Sequence, residues 1–140
     1  MIHRPRYFGL QELVSPELYE ARGDRAWELL DVYALVTLDA LRERFGPISV
    51  NDWHWGGQFK YSGMRPFVGG VGAVFSMHRF GRAFDCKPRH VTAPEMYAGI
   101  LAAQDKFPHI RVLENIKATP TWVHWDTRNS TKSGIWIVDP

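Results

Sequence analysis

Ser76-Met77-His78-Arg79-Phe80-Gly81-Arg82-Ala83-Phe84-Asp85 is the stretch that decides how this chain is read. It offers an imidazole at His78 and a carboxylate at Asp85, with Gly81 between them where the backbone can bend. Imidazole nitrogen and carboxylate oxygen are ordinary ligands for zinc. Residues 83–86 predict a strand that points Asp85 inward and Cys86 to the opposite face. Two ligands do not make a site, because a catalytic zinc commonly takes three from the protein and keeps a position for water. The third candidate is His124, in the apolar and aromatic run Thr121-Trp122-Val123-His124-Trp125-Asp126, which reads as a buried strand. His78, Asp85 and His124 around one Zn2+ ion are the expected metal site. By itself, a His and an Asp at this spacing is more often a satisfied polar pair, so the assignment leans on what surrounds them.

Size and composition narrow the rest. A chain of 140 residues suits one domain with one core, and 45% hydrophobic with 14% aromatic residues is enough apolar material to fill it. A formal charge of +2, with no basic run, argues against nucleic acid as a partner. Cys86 is the only cysteine, which removes internal disulfides and cysteine-rich zinc sites and fits synthesis in a reducing compartment. The first residues carry charge but no apolar core of signal-peptide type, and no apolar run is long enough to span a bilayer.

Working outward along the chain, residues 1–14 read as an irregular arm laying aromatics on the body. Ser15-Pro16-Glu17 is a helix start, with Ser as cap and Pro in the first turn, and a short helix to about Ala21 follows. Asp24 is placed to cap the longest helix, over 25–45, with Trp27, Leu30, Leu35, Leu38 and Leu41 on its inner face. It reads as scaffold, with Asp31 and Asp39 solvated. Ile48-Ser49-Val50 begins a strand. The loop 51–57 holds Trp53 and Trp55, which suit a groove or the core equally, and His54, a lone loop histidine with no expected metal role. Residues 67–75, rich in glycine, read as a loop or flap leading to the first motif. Thr92-Ala93-Pro94-Glu95 is a capping box opening a helix to about Lys106. Residues 110–113, 121–126 and 134–138 read as three strands of an antiparallel sheet. The expected class is α+β: a single domain over 1–140, a mainly antiparallel sheet and flanking helices.

With these residues in view, the chain resembles the peptidoglycan metallopeptidases. These are the zinc D-alanyl-D-alanine carboxypeptidases and L-alanyl-D-glutamate endopeptidases, which share their fold with the Hedgehog signalling domain. The family motif Ser-x-His-x-x-Gly-x-Ala-x-Asp is complete at Ser76, His78, Gly81, Ala83 and Asp85. An upstream Ser-Gly-aromatic-Arg element corresponds to Ser62-Gly63-Met64-Arg65, with Met in place of the aromatic. The closing His-x-Asp strand, followed by Thr-Arg in phage-type members, resembles Val123-His124-Trp125-Asp126-Thr127-Arg128. The resemblance covers residues 48–128.

It implies that His78, Asp85 and His124 hold zinc, and that Arg65 faces a substrate carbonyl or carboxylate. Ser76 takes a smaller part, bonding backbone or ligand. The Trp residues beside His124 would wall the site. Many members carry an acid three residues before the third ligand as general base, and here that position is Thr121. Glu114 and Asp126 are the replacement candidates. In His-x-His members the second histidine binds metal, so Asp126 as ligand with His124 as base stays open. The implied function is zinc-dependent hydrolysis of peptidoglycan stem peptides or cross-links, by an endolysin or virion-associated wall enzyme. Such an enzyme is expected to be a monomer, made in the cytoplasm without a signal peptide and acting on the cell wall. Two alternatives stand beside it: a non-catalytic phage structural or wall-binding module that keeps fold and metal, and an amidase acting on small soluble peptides.

Overall fold

Where the sequence supplies a cap, a helix begins. The computed structural model describes residues 3–69 and 71–140. Ser15 accepts from the Leu18 N–H at 3.3 Å and opens α2, Pro16–Arg22. Thr92 and Glu95 form the reciprocal capping box that opens α4, Ala93–Ala102. The long helix expected over 25–45 is instead two pieces: a 3-10 turn, Gly23–Leu29, then α3, Val32–Phe45. Tertiary contacts make the break. The Asp31 N–H donates to Gly81 O at 3.0 Å, and its carboxylate caps the Ala34 N–H and accepts from Thr127 Oγ1 at 2.6 Å. Asp31 is therefore a cap and a tether, not a solvated acid. Asp39 also differs from expectation, since its carboxylate accepts from the backbone N–H groups of Arg6 and Tyr7. The N-terminal arm is not irregular throughout: α1, Leu10–Leu13, buries Leu10 and Leu13. The expected extension of α4 to Lys106 ends earlier, with a separate 3-10 turn at Gln104–Lys106.

Five strands form one sheet in the order β1-β2-β4-β3-β5. They are β1 Ile48–Ser49, β2 Ala83–Pro88, β3 Val112–Glu114, β4 Val123–Asp126 and β5 Trp136–Val138. β2 and β4 pair antiparallel with Asp85 opposite His124 and Phe84 opposite Trp125. Because side chains alternate, this register sends Asp85 and His124 to one face and Phe84, Cys86, Val123 and Trp125 to the other. The second face is the core side, where Phe84, Cys86 and Trp125 are wholly buried together with Leu35, Leu38, Leu41, Met96 and Ile100 from α3 and α4.

The three late strands are not all antiparallel. β3 pairs antiparallel with β4 but parallel with β5, so the sheet is mixed. The cause is topological. β2 and β3 already flank β4, so the chain leaving β4 crosses beyond β3 and returns on its far side, running with β3. The fold is thus a small α+β domain with one mixed five-stranded sheet.

Candidate metal centre

The first motif becomes a 3-10 turn, Met77–Phe80, that hands the chain to β2. Ser76 caps it, its hydroxyl accepting from the His78 N–H at 3.3 Å. Gly81 closes the turn at φ +68°, and a Cβ there would lie 2.4 Å from Leu29 O. Only glycine meets both conditions. The upstream element is fixed in a similar way. Val14 and Met64 form a β-bridge, and the backbone of Gly63 passes so close to Leu13 that a Cβ would lie 2.2 Å from its carbonyl oxygen. This close approach aims Gly63 O at His78 Nδ1, at 2.8 Å. A carbonyl can only accept, so Nδ1 carries a proton and Nε2 is the ring nitrogen turned to the site.

Three donor atoms meet there. His78 Nε2 lies 3.2 Å from His124 Nδ1, His124 Nδ1 lies 2.8 Å from Asp85 Oδ1, and His78 Nε2 lies 3.3 Å from Asp85 Oδ1. Zinc bound tetrahedrally at about 2.0–2.1 Å keeps its ligands about 3.3 Å apart. The triangle therefore has nearly the size of one face of a zinc tetrahedron, and the donor set fits the ion. Its electrostatics call for a cation. Burial works to raise the Asp85 pKa, but the charge of His78 and the bond to His124 outweigh it and hold the carboxyl well below the usual range. Burial works to lower the His124 pKa, yet its bonds to Asp126 and Asp85 raise it to about 9. The His124 ring is thus held between two carboxylates, Asp85 and Asp126.

Asp126 lies on the other side of the His124 ring. His124 Nε2 is 3.5 Å from Asp126 Oδ2, while Nδ1 faces Asp85. Asp126 is fully buried, and Arg128 grips both of its oxygens, at 2.8 and 2.6 Å. This carboxylate–histidine arrangement is the one that orients a metal-bound imidazole. Asp126 is not among the three converging donors.

Glu114, by contrast, faces the cleft. It sits on β3, an interior strand, with Oε1 3.9 Å from His124 Nδ1, and it lines the cleft above the centre. Arg65 lines the same cleft, with Nη2 3.6 Å from Asp85 Oδ2 and Nε bonded to Tyr61 O at 2.8 Å. The cleft has a volume of about 630 Å³ and is bordered by the segment 72–77. Trp122 walls it, but Trp125 does not: its indole N–H donates to Cys86 Sγ on the core side. Ser76 lines the cleft while its hydroxyl is engaged as a cap. Thr121 is exposed in the turn before β4. In the 3-10 turn Trp53–Trp55, the Trp53 indole donates to Val14 O at 3.0 Å, His54 is exposed, and Trp55 stands in solvent.

Two participants escaped the sequence reading: the Gly63 carbonyl and the Arg128 clamp. The Gly63 contact arises only in the folded chain. No family model, curated protein or solved structure matches the chain. No described helix is long and apolar enough to cross a membrane.

Proposed function

We propose that the chain is a zinc-dependent peptidase that cleaves peptide bonds in bacterial peptidoglycan. On this reading it is a phage-type relative of the D-Ala-D-Ala carboxypeptidases and L-alanyl-D-glutamate endopeptidases, with their Hedgehog-type fold. The observation that carries the proposal is the convergence of His78 Nε2, Asp85 Oδ1 and His124 Nδ1 into a triangle of zinc dimensions, opening on a cleft beside Glu114 and Arg65.

A zinc ion held by His78, Asp85 and His124 would supply Lewis acidity towards a water and a substrate carbonyl. Glu114 is the general base: it reaches into the cleft beside the ligands, takes the water proton and passes it to the leaving amine. Asp126 is a positioning residue, because Arg128 already holds its oxygens and His124 lies between it and the cleft. Arg65 stabilises charge developing on the carbonyl oxygen. His78 and Asp85 hold one side of the site, their geometry fixed by Gly63 O and by the β2–β4 register.

The experiment is digestion of purified peptidoglycan with product masses, with and without a chelator. Chelator-sensitive release of peptide fragments is expected, and the masses name the bond. One observation favours a second reading, a non-catalytic wall-binding module: Thr121 puts a hydroxyl where many relatives carry the base. Stoichiometric zinc with intact sacculi would select that module. Hydrolysis of small soluble peptides but not of sacculi would select an amidase.

A further inference from the structure

A second cavity, of about 310 Å³, lies at the end of the sheet where β2 begins and β4 stops. Arg82 and Arg111 line it from the two strands that flank Thr127. The Thr127 N–H donates to Arg82 O at 3.1 Å, and the Arg111 N–H donates to Asp126 O at 2.9 Å. The sheet therefore fixes both arginine backbones, one on each side of Thr127. The Thr127 hydroxyl meets the Asp31 carboxylate at the start of α3, and Tyr33 of α3 lines the cavity. The cavity is thus on the helix side of the sheet, whereas Asp85 and His124 project from the other face.

Its wall is charged with one sign. Arg82 donates from Nη2 to Thr127 O at 2.9 Å, and Arg111 from Nη2 to Lys132 O at 2.8 Å. Both acceptors are uncharged carbonyls, and among the described residues no carboxylate pairs with either guanidinium. Each guanidinium keeps further N–H donors, and Arg82 Nε is buried without a partner. No acid lines the cavity. The two acids beside it are already engaged: Asp31 by the Ala34 N–H and the Thr127 hydroxyl, Asp126 by both arms of Arg128. Arg128 also lines the cavity, with its charge spent on Asp126. Asn129 and Ser130 add an amide and a hydroxyl. Tyr33 and His109, with ring centres 4.5 Å apart, make an aromatic wall. Two cations held side by side without a counter-ion favour an anion between them. Donors that come from both sides of Thr127 and from residues 129–130 suit a tetrahedral anion better than a planar carboxylate. Arginine matches phosphate oxygens in pairs.

We infer that this cavity binds a phosphate group, held by Arg82 and Arg111 with Asn129 and Ser130 completing the cradle. The site is separate from the metal centre, and the inference does not depend on the peptidase reading. The phosphate is free, a monoester on a small compound, or a diester in a polymer backbone.

The test is titration of the zinc-loaded protein with inorganic phosphate at low ionic strength, with backbone amide shifts read residue by residue by NMR. Saturable shifts are expected at residues 82, 109–111 and 127–130. Arg111→Gln and Arg82→Gln should each weaken the affinity roughly ten- to a hundredfold, the range of charge-assisted hydrogen bonds. Arg44→Gln, which removes the same charge from an exposed site on α3, should leave it unchanged. Glycerol phosphate and a glycerol phosphodiester then distinguish the sources. Binding of neither names free phosphate, binding of the monoester alone names a small phosphorylated compound, and binding of the diester names a polymer. No saturable shift, shifts confined to His78, Asp85 and His124, or equal affinity in wild type and Arg111→Gln would overturn the site.

Discussion

His124 is pulled two ways, by Asp85 on one ring nitrogen and Asp126 on the other, and its raised pKa has a measurable consequence. Metal must displace the proton that His124 holds below about pH 9. Apparent zinc affinity, measured by competition with a chelator, should therefore climb about tenfold per pH unit and level off near pH 9. The metal-free protein runs the opposite way. A folded pKa above the ordinary His value of about 6.5 gives stability that is complete below that pH and is lost as pH rises through about 9. Glu114 gives a separate prediction. Glu114→Gln should keep stoichiometric zinc while kcat falls about 10²- to 10⁴-fold, the range for a general base. Loss of the metal instead would make Glu114 a ligand. The three donors were legible through the whole motif and the strand that resembles the family's closing element, not through the His–Asp spacing, which alone suits a polar pair. Asp126 was not, because strand alternation puts it on the same face as His124. The Arg128 clamp and the turn of the imidazole, both tertiary facts, distinguish their roles.

The elements that present the ligands are held by backbone contacts that tolerate little substitution. Gly63 passes against Leu13 and carries the carbonyl that sets the His78 tautomer. Gly63→Ala should lower the melting temperature and weaken zinc binding together, whereas an ordinary exposed Gly→Ala change shifts stability by less than about 1 kcal/mol. Asp31→Ala removes the α3 cap and the Thr127 tether, and should cost about 1–2 kcal/mol in denaturant unfolding without loss of zinc. The helix starts at Ser15 and Thr92 were readable because capping is local chemistry. The division of the 25–45 helix was not, because the groups that stop it, Gly81 O and Thr127 Oγ1, come from distant parts of the chain. The parallel pairing of β5 was hidden for the same kind of reason: strand propensity carries no direction.

Across the whole molecule, one sheet separates two environments. Phe84 and Trp125 close the core on one face while Asp85 and His124 meet on the other. Stability and chemistry should therefore be separable by mutation. Leu38→Ala, at a wholly buried site on α3, is expected to cost about 2–5 kcal/mol while leaving zinc stoichiometry intact in the folded fraction. Metal should stabilise the fold, because the three donors come from a turn and two paired strands far apart in sequence. At a free zinc concentration about a thousandfold above Kd the gain is about 4 kcal/mol, visible as a rise in melting temperature that a chelator reverses.

The most direct measurement is zinc per chain, by elemental analysis after reconstitution, for the wild type and for folded His78→Ala, Asp85→Ala and His124→Ala proteins. One zinc per wild-type chain is expected, with most of it lost in each variant and weakened binding kept in Asp126→Ala. Wild-type protein that takes up no zinc, or any of the three variants that keeps one tightly, would mean that these residues do not form the metal site.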